Sequence, residues 1–124
     1  MDFIKKSDLP EVVQRARTNW RAIGGNAKVE DSASCGFCHF SLENGTMIAH
    51  KHEREIMYVV DAKGTTVRFG PESDKMTGSV RAEAGMIMRA ADGEWHVFEM
   101  DDKDSYMDII WFFDVPQNHA TEAE

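Results

Sequence analysis

Two hydrophobic rhythms divide the chain. Near the N-terminus Leu9, Val13, Ala16 and Trp20 recur at helical spacing and make one apolar stripe, with Arg15, Arg17 and Arg21 mainly off it. Ser7 or Asp8 can cap such a segment, Pro10 suits its first turn, and Gly24-Gly25 ends it. The spacing predicts one N-terminal α-helix over residues 7–24, packed outside whatever follows. Beyond Gly25 the pattern changes to short strands, predicted at 33–43, 46–52, 55–61, 65–69, 78–83, 85–90, 95–100 and 106–115. Turn signals separate several of them: Asn44-Gly45, Lys63-Gly64, Gly70-Pro71, Asp92-Gly93 and the run Asp101 to Ser105. Many short strands at this spacing indicate an all-β sandwich or barrel. The last strand is apolar on both parities between Asp108 and Asp114, which predicts burial on both faces. In a small barrel its outer face becomes a dimer contact, around Trp111 or Phe113. The polar tail, residues 117–124, is expected to be mobile.

The candidate chemistry lies in the strand region. His50 and His52 stand at alternate positions, and alternate side chains of a strand share a face, so two imidazoles enter one space. Glu55, or Glu53 in a different register, adds a carboxylate, and His96 adds a third imidazole from a later segment. Imidazole plus carboxylate is a ligand set for one divalent first-row metal. Three imidazoles and one carboxylate leave positions open on a six-coordinate ion, the mark of a catalytic rather than a closed structural site. Fe, Mn, Ni, Co and Zn all fit this donor set. Three more residues are candidates for substrate contact. Met57 shares the parity of Glu55, Arg89 has the reach to clamp a carboxylate or phosphate, and Glu94 shares the parity of His96 and offers an acid or base. Each has an ordinary alternative, respectively core, solvated surface and loop.

The two segments together resemble the paired motifs of the cupin superfamily. The second motif, G-x5-P-x-G-x2-H-x3-N, is matched by Gly85, Gly93 and His96, with Ala91 in the Pro place and Met100 in the Asn place. The first, G-x5-H-x-H-x3/4-E-x6-G, is followed by Gly45, His50, His52, Glu55 and Gly64 with altered spacings: four residues before His50, two before Glu55, eight before Gly64. The Glu55 to Val59 continuation is similar too. The resemblance covers about residues 32 to 116. It implies a mainly β, small jelly-roll barrel, a metal at His50, His52, Glu55 and His96, and oxygenase, isomerase, decarboxylase or lyase chemistry on an oxygen-bearing small organic molecule. The alternatives are a non-catalytic metal- or small-ligand-binding protein and a metal-free interaction domain. Relatives are often homodimers, in line with the doubly apolar last strand.

Composition narrows the partners. At 124 residues and 42% hydrophobic the chain is expected to be a single domain, 1–124. A net charge of −8 disfavours nucleic acid and anionic membrane surfaces. No apolar run approaches a membrane span and the N-terminus has no apolar signal core, so a cytoplasmic location is the default expectation. Cys35-Gly-Phe-Cys38-His39 matches a c-type haem attachment pattern. Within a strand, however, residues three apart face opposite ways, which disfavours a mutual disulfide and favours packing.

Overall fold

The computed structural model describes residues 1–124, the side chain of Asn26 excepted. Eleven strands run in chain order: β1 (Glu11–Gln14), β2 (Arg17–Ala22), β3 (Ser34–Ser41), β4 (His50–Lys51), β5 (Glu55–Lys63), β6 (Thr65–Gly70), β7 (Gly78–Arg81), β8 (Ile87–Ala90), β9 (Trp95–Met100), β10 (Tyr106–Phe113) and β11 (Thr121–Glu122). They form two antiparallel sheets, one ordered β1-β2-β3-β10-β5-β8 and the other β11-β4-β9-β6-β7. The sheets face one another as a jelly roll. Hydrogen bonds do not join them into a closed barrel, so the barrel expected from sequence is an open two-sheet sandwich.

Strict alternation builds the core. On β3, β10 and β5 as far as Val59 every second residue is buried, bringing Cys38, Phe40, Met57, Val59, Met107, Ile109, Trp111 and Phe113 together between the sheets. Phe98 and Val67 close the core from the other sheet. Cys35 and Cys38 take opposite faces of β3, half-buried and buried respectively. Gly36 fits its place because a Cβ there would lie 2.6 Å from the Trp111 ring.

The N-terminal helix over 7–24 is not formed. Lys6–Asp8 is a single 3-10 turn, and β1 and β2 make a hairpin that turns at Arg15-Ala16 and extends the larger sheet. Leu9 and Ala16 are buried as the stripe predicts, but Val13 is exposed. The helical spacing arises because β2 turns polar residues inward. Arg17, Asn19 and Arg21 line the interior, while Trp20 faces out beneath Lys6, whose Nζ lies 4.0 Å from the ring. Ala16 takes φ 66° at the turn, its amide donating to Asn44 O and its carbonyl accepting from Ser41 N. A long-range dock thus fixes a conformation that local propensity opposes.

Part of the tail is also structured. Thr121 and Glu122 pair with Lys51 and His50, and His119 contacts Glu53. The last strand faces differently from the sequence expectation: Trp111 and Phe113 are inside, and Ile110 and Phe112 are the outward residues.

Candidate metal centre

His50, His52 and His96 meet between the sheets. His50 on β4 pairs directly with His96 on β9, and two residues after His50 the side chain of His52 turns in beside them. The loop of the second motif is tied to the first by Gly93, whose amide donates to His52 O at 2.9 Å. Gly93 takes φ 73° to do so, a region most side chains avoid. The ligand atoms of the three imidazoles lie within 4.8 Å of one another, and ring centroids are 4.4 to 5.4 Å apart. All three side chains are buried.

Backbone carbonyls orient every ring. Nδ1 of His50 donates to Ile48 O at 3.1 Å, Nδ1 of His52 to Glu53 O at 2.6 Å, and Nδ1 of His96 to Glu94 O at 2.9 Å. A proton held on Nδ1 leaves the Nε2 lone pair free in each neutral ring. His96 Nε2 is fully buried and has no hydrogen-bond partner. An acceptor left in this state costs about 1–3 kcal/mol, a cost that a metal ion on the lone pair removes.

Glu55 opens β5 and is buried on the inward face, with its Oε1 3.7 Å from His52 Nε2. It stands beside the compact triad rather than within it. Glu53 turns outward instead, and its carboxylate accepts from the backbone N and Nδ1 of His119 at 2.7 Å each.

The electrostatics suit a cation. Burial, with the neighbouring His96, pushes His50 down to about 3, and burial with His52 pushes His96 down to about 4. His52 is lowered, chiefly by burial. Burial pushes Glu55 up to about 8, against the opposing charge of Arg17. Neutral imidazoles are the ligating form, and a buried carboxyl short of positive charge gains from an adjacent divalent ion.

A cavity of about 240 Å³ opens from this cluster. Its walls include Gln14, Arg17, Asn19 and Arg21, together with Gln117, Asn118 and Glu122 from the C-terminal segment. Met57, Arg89 and Glu94 do not line it. They border a separate, mostly apolar cavity of about 330 Å³ that reaches the other side of His96. Met57 there belongs to the core, Arg89 is exposed on β8, and the Glu94 carboxylate accepts from Ala91 N at 3.1 Å. Glu94 serves the cluster through its backbone carbonyl.

No protein-family model matches the chain, and no curated protein matches it in sequence. Solved structures do match. Oxalate decarboxylase from Lactobacillus farciminis, in a formate complex, aligns over 94% of this chain and 34% of its own, at 17% identity and TM-score 0.73. The polyketide cyclase RemF from Streptomyces resistomycificus aligns over 100% of this chain and 86% of its own, at 16% identity and TM-score 0.71. A protein from Planctomyces limnophilus aligns over 93% and 90%, at 16% identity and TM-score 0.69. The chain shares the two-sheet jelly-roll fold of these structures, the fold that the cupin resemblance implies. The chain spans 34% and 31% of the oxalate decarboxylase chains from L. farciminis and Bacillus subtilis.

Sequence reasoning missed the polar row that β2 contributes to the cavity. The signal was present as Arg17-x-Asn19-x-Arg21, a polar alternation of period two. Among the described residues no helix is long and apolar enough to cross a membrane.

Proposed function

We propose that this cupin is a metal-dependent enzyme acting on an oxygen-bearing small organic molecule, with His50, His52, His96 and Glu55 holding one divalent ion. The observation that carries this reading is the buried, unpartnered Nε2 of His96 in a triad whose rings are all oriented through Nδ1. A divalent metal bound there supplies Lewis acidity toward a carbonyl or enolate oxygen, or dioxygen chemistry if it is iron. The chain's own residues do the rest. The three carbonyls behind the imidazoles fix ring orientation, Phe113 packs edge-on against His52 at 5.0 Å, and the core around Phe98 and Trp111 limits water. The similar B. subtilis oxalate decarboxylase has Mn(II) centres, which supports a metal here without choosing it. Decarboxylase or other lyase, isomerase and oxygenase chemistry are the classes this donor set serves.

Elemental analysis of protein purified without added chelator tests the metal. A screen of small keto, hydroxy and enolic acids then tests turnover. Stoichiometric metal with turnover is the expected outcome. Metal without turnover supports a non-catalytic metal- or small-ligand-binding protein instead, and absence of metal after reconstitution overturns the metal site in either reading.

The assembly we infer is a homodimer. Ile110 and Phe112 on β10 lie in register with Tyr58 and Ile56 on β5, and all four are exposed on the outer face of the larger sheet. Contiguous apolar surface of this kind marks an association site. Light scattering at micromolar concentration is expected to give twice the 14.0 kDa chain mass, and Phe112→Asp is expected to give the monomer. A monomeric wild-type mass refutes the dimer.

A further inference from the structure

The wall of the cavity contributed by β2 carries two guanidinium groups, and their surroundings show what they await. Arg17 and Arg21 flank Asn19 on one face of the strand, all three lining the space onto which the imidazoles open. Asn19 is locked: its Oδ1 accepts from Trp111 Nε1 at 3.2 Å and its Nδ2 donates to Gln14 Oε1 at 2.8 Å. The row therefore has a fixed centre and two cationic arms. In a chain with 22 acids, Arg54, Arg68 and Arg81 each hold a carboxylate, from Asp114, Glu99 and Asp101. Arg17 and Arg21 hold none among the described residues. Arg17 lies 5.8 Å from the Phe40 ring centroid and donates its Nε to Arg15 O at 3.4 Å, so its terminal nitrogens stay free. Among the described residues the only acidic side chains lining the same cavity are Glu55 and Glu122. A divalent ion beside Glu55 would leave this small space net positive.

We propose that Arg17 and Arg21 are the specificity-determining residues of this site and select substrates that carry a carboxylate. A guanidinium presents paired N–H donors that match the two oxygens of a carboxylate, and its charge persists at every relevant pH. The carboxylate rests against β2, and the remainder of the molecule, with its reactive oxygen, faces the imidazole cluster. The proposal rests on the metal-site reading above for its second anchor, but the anion contact belongs to the two arginines alone.

The test is calorimetric titration with malonate and with malonamide, its uncharged counterpart, on metal-loaded and metal-free protein. Metal content and thermal melting are recorded for every variant. Wild-type protein is expected to bind malonate and to bind malonamide at least about tenfold more weakly. Arg17→Gln and Arg21→Gln are each expected to weaken malonate about tenfold or more, a difference on the order of 1.4 kcal/mol, with metal content unchanged. Arg17→Lys and Arg21→Lys, which keep the charge but lose the paired donors, fall between, and they carry the test if a Gln variant does not fold. Arg68→Gln, on the surface, leaves malonate binding as in wild type. Arginine-dependent malonate binding by a protein that takes up no metal would uphold this proposal while overturning the metal reading. Metal uptake with malonate binding indifferent to both arginines, equal binding of malonamide, or no malonate binding at millimolar concentration would overturn the proposal.

Discussion

His96→Ala protein, folded and equilibrated with a divalent metal, is expected to retain no stoichiometric ion. His96 pairs with His50 across β4 and β9, and its Nε2 is the buried lone pair without a partner. Removing it deletes a ligand outright, where removing a hydrogen-bond partner behind a ligand already costs roughly 10–100-fold in affinity. His52→Ala is expected to behave alike, because His52 also joins the triad to Glu55 through the 3.7 Å approach. Glu55→Gln is expected to weaken binding without abolishing it, since three imidazoles remain and only the carboxylate charge is lost. Glu53→Gln serves as the control, because Glu53 is engaged on the surface by His119. Elemental analysis against protein concentration gives the answer, with circular dichroism verifying the fold. Unchanged metal content in the His52, His96 and Glu55 variants refutes the site. A loss in Glu53→Gln but not in Glu55→Gln identifies Glu53 as the carboxylate ligand and refutes the assignment to Glu55.

How much of this was legible in the sequence follows from what each face of each strand carries. β3, β10 and β5 as far as Val59 alternate because their inner faces are mainly apolar, and their bounds were readable to within a few residues. His50, His52 and His96 were readable for the opposite reason: imidazoles on an inward parity have few uses in a core. The hairpin β1–β2 was hidden because its inner row is polar where a core strand would be apolar, and Leu9, Val13, Ala16 and Trp20 happen to fall at helical spacing. Functional residues erased the hydrophobic rhythm that would have exposed them. The orientation of the last strand failed differently. Both parities are apolar, so nothing in the pattern distinguishes Trp111 and Phe113, which are inside, from Ile110 and Phe112, which are not. The two-residue strand β11 was beyond sequence reasoning, because polar residues next to a chain end carry no periodic signal and Ala123 N is held by Ala49 O from far away.

Metal affinity is expected to rise about tenfold per pH unit from about pH 6.5 to about pH 8 and then level, with close to one proton released per ion bound near pH 7. The sign follows from the protonation state of each ligand in the metal-free protein. Burial holds His50 near 3 and His96 near 4 and lowers His52 from its ordinary 6.5, so above that value the imidazoles are already neutral and give up no proton. Burial raises Glu55 to about 8, so below that value it is a neutral acid and must lose its proton to act as a ligand. Each unit of falling pH therefore costs one decade of affinity until an imidazole begins to protonate. Imidazoles at their ordinary 6.5 beside a Glu55 carboxylate at its ordinary 4.5 would behave differently. Affinity would be flat above that value and would fall by up to about three decades per unit below it, since three rings would titrate together. Titration calorimetry in buffers of different ionisation enthalpy measures the proton count, and competition with a chelator of known pH dependence measures the slope. Glu55→Gln should abolish both the slope and the proton release across this range while leaving weaker binding intact. A wild-type profile that is flat between pH 7 and 8 and steep below 6.5 would show that the carboxyl of Glu55 is not the titrating ligand, whatever the three imidazoles hold.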